Sequence, residues 1–391
     1  MRVAVVTESY LPALNGVTNS VLQTVCQLAT RGHDTLVIAP EYEGSPRRDQ
    51  FHPSTGSEVD VVRVRSATAP GTQGFRVGLP GPRVELALRA FGPDVVHLAS
   101  PFLLGAQGVR VARRIGVASV AVFQTDVAAF LARYGVRGAS PPVWAWLRQV
   151  HNGATLTLAP SPSTAAALLA RGFDNVGVWP RGVDVALFGP QHRCNAVRES
   201  WDVRPGESAV GYVGRLAPEK CLDQLEAVHA LPGVRLVLVG DGPAGAHLRR
   251  RLPHAVFTGQ LSGLALAQAH ASLDVFVHPG PHETFCQSAQ EAMASGVPVV
   301  AVNSGGVRDL VVAGRTGMLV EPYDGAALAD AVVDLLASPL RRAAFAAHAR
   351  RLAGKRSWSS VVEELLGHYD AAVTRHRAGG RHLDQRGGRA A

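Results

Sequence analysis

The chain has 391 residues, 47% of them hydrophobic and 18% charged, which excludes a disordered protein and allows two or three packed domains. No run approaches the roughly 20 apolar residues of a membrane span, and the N-terminus opens into a predicted strand rather than a signal peptide. The formal charge of +8 rests almost entirely on arginine and would suit nucleic acid, anionic lipid or a phosphorylated small molecule.

The first half alternates β-branched runs with helical stretches, as in a parallel sheet covered by helices. The Gly- and Pro-rich segment 43–82 is predicted to form loops with one embedded strand. Strands are predicted at 2–7, 34–39, 60–64, 94–99, 118–123 and 155–159, and helices at 18–30, 102–114 and 162–171.

The same alternation restarts after residue 193, so we predict an α/β protein of two Rossmann-like parallel-sheet domains facing a central cleft. The tail from 375 is rich in Gly and Arg, which predicts disorder. The second set of strands is predicted at 207–216, 234–243, 254–259, 273–280 and 297–302, before a helical stretch at 324–369. The predicted divisions are 1–180, 181–355, a C-terminal helix at 356–374 that packs back on the first domain, and the tail 375–391.

Four cysteines are scattered through the sequence without a CxxC pair or a metal-type spacing. This pattern predicts a reduced, cytoplasmic protein. The cysteines are Cys26, Cys194, Cys221 and Cys286.

Ligands of open parallel sheets bind beyond the carboxyl ends of the strands. The first such segment is "ESYLPALNGVTNS", where Gly16 at a helix start would let the backbone approach an anion closely. The alternative is an ordinary strand-to-helix turn.

The segment "VGRLAPEKC" follows the first strand of the second domain and carries Arg215 and Lys220. Two cations on one loop could clamp a diphosphate, the guanidinium as a planar fork and the ammonium as a point charge. The alternative is a solvated basic loop, although the chain has only two lysines.

Two glutamates, Glu283 and Glu291, flank the start of a predicted helix in "HETFCQSAQEAMASG". If this helix begins near Phe285, the free amides of Phe285, Cys286 and Gln287 face the cleft and favour phosphate. Carboxylates accept hydrogen bonds from hydroxyl groups. A nucleotide-sugar has hydroxyl groups at both ends and a diphosphate between them, so it fits two carboxylates with phosphate-binding amides between them. The alternative is that Glu283 only complements the helix dipole and that Glu291 is an exposed helix residue.

Together, "GRLAPEK" and "HETFCQSAQEAMASGVPVVA" resemble the donor half of the family-4 glycosyltransferases, which have GT-B architecture. The segments "NGV", "RGVDVALF" and "VGDGP" extend the resemblance over about residues 1–370. The segments "ETFCQ" and "TESYLPALNGVTNSV" are most similar to bacterial α-mannosyltransferases that use GDP-mannose and act on glycolipids.

The resemblance implies a role for each matching residue. Arg215, Lys220 and the three amides would bind the donor diphosphate and stabilise the leaving nucleotide. Glu283 would bind the sugar hydroxyls and Glu291 the ribose, while Gly16 would let its loop close over the phosphates.

The sequence departs from the family pattern at two places. Where many relatives carry a histidine, this chain has Gln124, with Asp126 nearby as a candidate catalytic or acceptor-orienting group. Cys286 replaces a frequent glycine, but its amide remains available. His97 is a further candidate for the acceptor side, although a lone histidine at a strand end is more often structural.

The resemblance implies a retaining glycosyltransferase that needs no metal or other cofactor, and the sequence lacks a DxD motif. We expect GDP-mannose as donor, with UDP-glucose or another UDP-sugar as the alternative, and a sugar or glycolipid acceptor. The basic tail and arginine-rich first domain suggest peripheral binding to the inner, anionic face of the plasma membrane. The arginines are Arg110, Arg113, Arg114, Arg133 and Arg137.

Other functions remain open at this point. An epimerase or phosphorylase of the same architecture would share the donor site, and a non-catalytic nucleotide-sugar sensor would keep binding without turnover. Nucleic-acid binding is suggested by charge alone, because no zinc pattern, aromatic sheet motif or basic recognition helix is present. We expect no nucleic-acid partner.

Overall fold

The protein is described here by a computed structural model, which covers residues 1–13, 15–45, 48–50, 58–68, 76–99, 101–124 and 140–387. For residues 48–50, 140 and 380–387 it describes the backbone alone. The chain divides into two compact units. The first comprises Met1–Pro180 with the segment from Trp358 onward, and the second Arg181–Ser357.

The first unit is built on an eight-stranded sheet of order β10-β9-β8-β7-β1-β2-β4-β3. All neighbouring strands are parallel except β3, which pairs antiparallel with β4. A separate antiparallel pair joins β5 and β6. The strands are β1 Arg2–Val6, β2 Asp34–Pro40, β3 Arg48–Gln50, β4 Glu58–Val64, β5 Ser66–Thr68, β6 Arg76–Gly78, β7 Val95–Leu98, β8 Ala118–Val122, β9 Leu156–Ala159 and β10 Val176–Val178.

Helices cover this sheet because successive strand residues alternate between its two faces. In β1, Val3 and Val5 belong to one hydrophobic cluster and Ala4 and Val6 to another. The described helices of residues 1–180 are α1 Gly16–Thr30, α2 Pro82–Phe91, α3 Leu103–Arg114, α4 Ser140–Asn152 and α5 Pro162–Leu169.

The last helix, α13 (Trp358–Gly387), returns to the first unit. Its buried residues Val362, Leu365 and Tyr369 join the cluster that contains Val25 of α1. The helix continues as far as Gly387, within the segment 375–391 that the sequence predicts to be disordered, and the described side chains of 375–379 are mostly exposed. An existing helix can extend in this way because each added residue gains one backbone hydrogen bond and no new helical turn has to be nucleated. No helix of the described chain is both long enough and apolar enough to span a membrane.

The second unit has a six-stranded parallel sheet of order β13-β12-β11-β14-β15-β16. The order reverses between β11 and β14, and such a point is where open α/β sheets bind ligands. Its strands are β11 Ser208–Val213, β12 Val234–Val239, β13 Val256–Gly259, β14 Val275–His278, β15 Val299–Val302 and β16 Gly317–Val320. Its helices are α6 Asn195–Ser200, α7 Glu226–His229, α8 Gly245–Arg251, α9 Gly263–Ser272, α10 Gln287–Ala294, α11 Gly325–Leu336 and α12 Pro339–Gly354.

Candidate active site

The charged residues predicted from the second half of the sequence meet where β11 and β14 end. The loop after β11 carries Arg215 and Lys220, and the loop after β14 carries Glu283. Because β11 and β14 are neighbours in the sheet, their loops share one edge.

An ion pair lies at the centre of this edge. Lys220 Nζ donates to Glu283 Oε1 at 2.5 Å, and His278 Nε2 lies 3.1 Å from the same oxygen. Burial lowers the pKa of Lys220, but the opposite effect of the Glu283 carboxylate is larger, and the pKa lies above its ordinary value. Burial raises the pKa of Glu283, yet Lys220 and His278 bring it well below the usual range. The carboxylate is therefore ionised.

His278 belongs to the same charged group. Burial lowers its pKa, whereas the neighbouring Cys286 and Glu283 raise it, giving about 9. Its ring stacks on Tyr212, with centroids 5.7 Å apart, so packing fixes its position.

Arg215 is the more exposed cation of the edge. Its side chain is 46% exposed, and Nη1 lies 3.9 Å from Glu219 Oε1. Exposed ion pairs of this kind contribute little to stability.

Arg181 is a third cation, which the sequence did not single out. It is 7% exposed; burial lowers its pKa to about 10, while Glu283 and Glu291 raise it. Its backbone is anchored because Gln290 Nε2 donates to Arg181 O at 3.0 Å, and Gln287 Nε2 donates to Gly182 O at 3.0 Å. Arg181 is thus tied electrostatically to both predicted glutamates.

Helix α10 begins at Gln287 rather than near Phe285. Cys286 precedes it with φ of 83°, in the left-handed region that favours glycine. This backbone conformation prevents the helix from starting earlier in the chain. A non-glycine residue here carries strain of about 1–3 kcal/mol. The amides without intrahelical acceptors therefore begin at Gln287 and lie further toward the C-terminus than predicted. Of the three predicted amides, those of Phe285, Cys286 and Gln287, only the last belongs to the helix.

Glu291 lies within α10, about 6 Å along the axis from its first residue at 1.5 Å per residue. Its side chain is 12% exposed, and Oε2 lies 3.5 Å from His270 Nε2. His270 is fully buried, against Phe188 and Phe276. One side of the Glu291 carboxylate therefore lies near a packed imidazole.

A turn of two glycines, absent from the sequence predictions, supports the Glu283 loop. Gly306 N donates to Glu283 O at 2.6 Å, and Ser304 Oγ donates to Pro281 O at 3.1 Å. A Cβ on Gly306 would lie 2.3 Å from Thr284 O. This close backbone contact fixes the loop, and the signal that could have revealed it is the paired glycine after β15.

In the first unit, Gly16 is the exposed first residue of α1. The cap of this helix is Asn15, whose Oδ1 accepts from Val17 N and Thr18 N, each at 3.0 Å. Asn15 thus satisfies two of the amides at the start of this helix, and Gly16 does not have a positive φ.

The acceptor-side candidates differ in accessibility. Gln124 is 8% exposed and donates to Ala99 O at 3.1 Å. His97 is a core residue: it is 2% exposed, its Nδ1 lies 2.8 Å from Tyr369 Oη, and Trp179 packs on its ring. Burial and these contacts give His97 a structural position, and its contact with an acceptor stays a prediction. Asp126 lies outside the described residues.

Two family profiles match the chain. "Glycosyltransferase Family 4" matches residues 14–187, and "Glycosyl transferases group 1" matches residues 207–338. A GDP-mannose-dependent alpha-mannosyltransferase of Mycolicibacterium smegmatis is 50% identical over 96% of this chain and 98% of its own. The chain belongs to glycosyltransferase family 4.

Further similarities agree with this membership. A GDP-mannose-dependent alpha-mannosyltransferase of Mycobacterium tuberculosis is 48% identical over 95% of this glycosyltransferase and 97% of its own chain. The structure of sucrose-phosphate synthase from Thermosynechococcus elongatus matches with a TM-score of 0.76 and 21% identity, covering 95% of this chain and 98% of that one. The fold is GT-B, with two Rossmann-like units.

This glycosyltransferase also has a buried carboxyl group, Glu8, at the end of β1. Glu8 is 2% exposed, and its side chain accepts from Leu104 N and from Gly78 N, the latter at 3.2 Å. Burial raises its pKa to about 7, against the lowering effect of these backbone hydrogen bonds. Glu8 thus links β1, β6 and the start of α3.

Replacing Glu8 by glutamine is expected to flatten the pH dependence of stability. A raised carboxyl pKa means that the folded state holds its proton more tightly, so this stabilisation is complete below pH 4.5 and is lost as pH rises through about 7. Between pH 4 and pH 8 the difference in the free energy of unfolding should therefore shift in favour of the variant by at most about 3 kcal/mol. Urea denaturation at both pH values measures this, with exposed Glu43→Gln as control. Parallel pH profiles for Glu8→Gln and the wild type would contradict it.

Proposed function

We propose that this enzyme transfers mannose from GDP-mannose to a sugar or glycolipid acceptor, with retention of the anomeric configuration. The observation that carries the proposal is the partly buried Lys220–Glu283 ion pair beside the start of α10. The names of the two mannosyltransferases support the choice of donor. The first unit would bind the acceptor and the second the donor.

The cations of the second unit would bind the donor diphosphate. Lys220 and Arg215 stand on one loop, and the dipole of α10 adds positive potential. As the bond between the sugar and the phosphate breaks, negative charge grows on the leaving GDP, and these groups stabilise it. This positive charge comes from the protein itself, which supports a reaction that needs no metal.

The two glutamates would bind the two ends of the donor. Glu283, held by Lys220, would accept hydrogen bonds from the mannose hydroxyls, and Glu291 from the ribose. Arg181 balances both carboxylates in their buried setting. Placement of these acceptors on either side of the diphosphate site would select a nucleotide-sugar over a free nucleotide.

Retention follows from attack on the face that the leaving group vacates. The acceptor oxygen forms its bond to the anomeric carbon while the bond to the phosphate breaks, and the acceptor proton passes to the departing GDP. Asp126 would orient the acceptor and Gln124 would lie near it; both roles remain predictions.

Transfer assays test the proposal directly. The purified enzyme should move mannose from GDP-mannose into lipid extracts that offer sugar head groups, and the product should be α-linked by NMR. Transfer from UDP-glucose instead would keep the reaction and replace the donor. Donor epimerisation without transfer, or nucleotide binding without turnover, would overturn the proposal, and a β-linked product would overturn retention.

We further propose peripheral association with an anionic membrane surface through α3. Arg110, Arg113 and Arg114 are exposed on this helix, and each cation near such a surface contributes about 1 kcal/mol. The double variant Arg110→Gln with Arg113→Gln should weaken flotation with anionic vesicles by roughly 30-fold.

The control for this test is the exposed pair Arg350→Gln with Arg351→Gln in the second unit, which should change flotation little. Equal binding of the wild type to neutral and anionic vesicles would contradict the electrostatic account.

A further inference from the structure

Cys286, His278 and Glu283 form a compact group of potential metal ligands at the start of α10. Each offers one ligand atom, and the three atoms lie within 4.8 Å of one another. Cys286 and His278 are 5% and 1% exposed, so a bound cation would be shielded from bulk water. The group unites the end of β14, its following loop and the helix start.

The chemistry of these three atoms fits one class of cation. Thiolate sulfur, imidazole nitrogen and carboxylate oxygen are the ligands that Zn²⁺ takes in tetrahedral sites, at about 2.0 to 2.3 Å. Such bond lengths place neighbouring ligand atoms about 3.5 Å apart. Shifts on the order of 1 Å would therefore close the present group around a cation. Hard cations such as Mg²⁺ prefer oxygen ligands and fit poorly.

His278 already faces the other two members of the group. Its Nε2 lies 3.1 Å from Glu283 Oε1, and both Cys286 and Glu283 act on the ring. Neither ring nitrogen makes a hydrogen bond of good geometry with the described residues. A ring nitrogen therefore already points toward the carboxylate with which it would share a cation.

Cys286 supplies the selectivity for a thiophilic cation. Its φ of 83° is the conformation that glycine adopts without strain, so the local backbone gives no reason for a cysteine. The three other cysteines, Cys26, Cys194 and Cys221, lie outside this group.

We propose that Cys286, His278 and Glu283 bind one thiophilic divalent cation, best matched by Zn²⁺, and that this binding inhibits the enzyme. The cation would take the Glu283 oxygen that Lys220 now holds at 2.5 Å. Like charge would then displace the Lys220 ammonium, so the diphosphate would lose its contact with Lys220. The thiol proton of Cys286 and one ring proton of His278 would leave to the buffer as the thiolate and the neutral imidazole bind. The inhibition rests on the proposed donor site, whereas the metal site itself does not.

Titration of the EDTA-treated, full-length enzyme with Co²⁺ tests the site without any assay of activity. We expect one equivalent to bind with a thiolate-to-cobalt charge-transfer band and visible bands of tetrahedral intensity, both removed by Zn²⁺. Cys286→Gly should abolish the charge-transfer band while keeping the fold, because glycine suits this φ. His278→Phe should keep the stacking on Tyr212 and weaken Co²⁺ binding at least 10-fold. Cys194→Ser is the matched control and should retain the full spectrum.

A charge-transfer band that is absent from the wild type, or that persists in Cys286→Gly, would overturn the site. GDP should displace Co²⁺ and bleach the spectrum; coexistence of GDP and Co²⁺ at unchanged affinity would overturn the inhibition while leaving the site. If Co²⁺ binds as expected but GDP does not bind to the metal-free enzyme, the donor proposal fails and the metal site stands.

Discussion

Replacing Glu283 by glutamine is expected to lower kcat/KM for sugar transfer by roughly 100- to 1,000-fold. The substitution keeps the size of the side chain but removes the charge that holds Lys220 at 2.5 Å and that also attracts His278. Lys220 would then lose its fixed position at the donor phosphates, and the sugar hydroxyls would lose a charged acceptor. Steady-state kinetics with GDP-mannose and acceptor extract measures the effect.

Two further variants make the test specific. Glu321→Gln changes an exposed carboxylate of the same unit and should leave kcat/KM within a factor of two or so. Lys220→Met and the Lys220→Met/Glu283→Gln double variant complete a cycle in which the losses should be far from additive, because the two side chains act as one unit. Additive losses, or near-normal kinetics of Glu283→Gln, would contradict the proposed coupling.

Replacing Gly306 by alanine should reduce nucleotide affinity by at least 10-fold although this residue is given no contact with the donor. The added Cβ would lie 2.3 Å from Thr284 O and 2.6 Å from Phe285 N, so backbone must move. The movement would shift the Glu283 loop and the start of α10 together. Overpacking of this kind also lowers stability by about 1–3 kcal/mol. Calorimetric titration with GDP and urea denaturation measure the two effects.

Gly354→Ala is the matched control, since a Cβ there meets nothing within 4 Å. This substitution near the end of α12 should change stability by no more than about 1 kcal/mol and leave GDP affinity unaltered. Wild-type GDP affinity in Gly306→Ala would show that the glycine turn does not position the site.

Much of the fold could be predicted from hydrophobic periodicity. The buried strands β1, β2, β11 and β12 are largely apolar and contain two or more residues of Val, Leu or Ile each, and such segments indicate a parallel sheet. The edge strands β10 and β16 were missed, because each has three or four residues, contains a glycine and pairs on one side alone. Short edge segments carry too little apolar pattern to stand out.

The charged residues of the site could be predicted because their types and spacing match a known motif. Lys220 and Glu283 stand after strands that are neighbours in the sheet, and their chemistry is readable from the sequence. Arg181 could not be found in this way, since its relation to Glu283 and Glu291 arises through folding.

Burial accounts for the remaining differences. Glu8 has an ordinary sequence context, and only the packing of β6 and α3 over β1 desolvates it. For His97 the sequence left a structural role and an acceptor contact open, and only the fold shows that α13 returns from the far end of the sequence to cover it with Tyr369. A search for paired cysteines could not reveal the grouping of Cys286 with His278 and Glu283. Each case depends on contacts between distant segments.

Calorimetric binding of GDP and UDP to the wild type and to Glu291→Ala tests the donor site most directly. The account predicts that GDP binds more tightly than UDP, and that the variant weakens GDP binding by about 10- to 100-fold, the value of a hydrogen bond to a charged group. A preference for UDP would contradict the choice of donor. Absence of binding by either nucleotide, or unchanged GDP affinity in Glu291→Ala, would contradict the donor site itself.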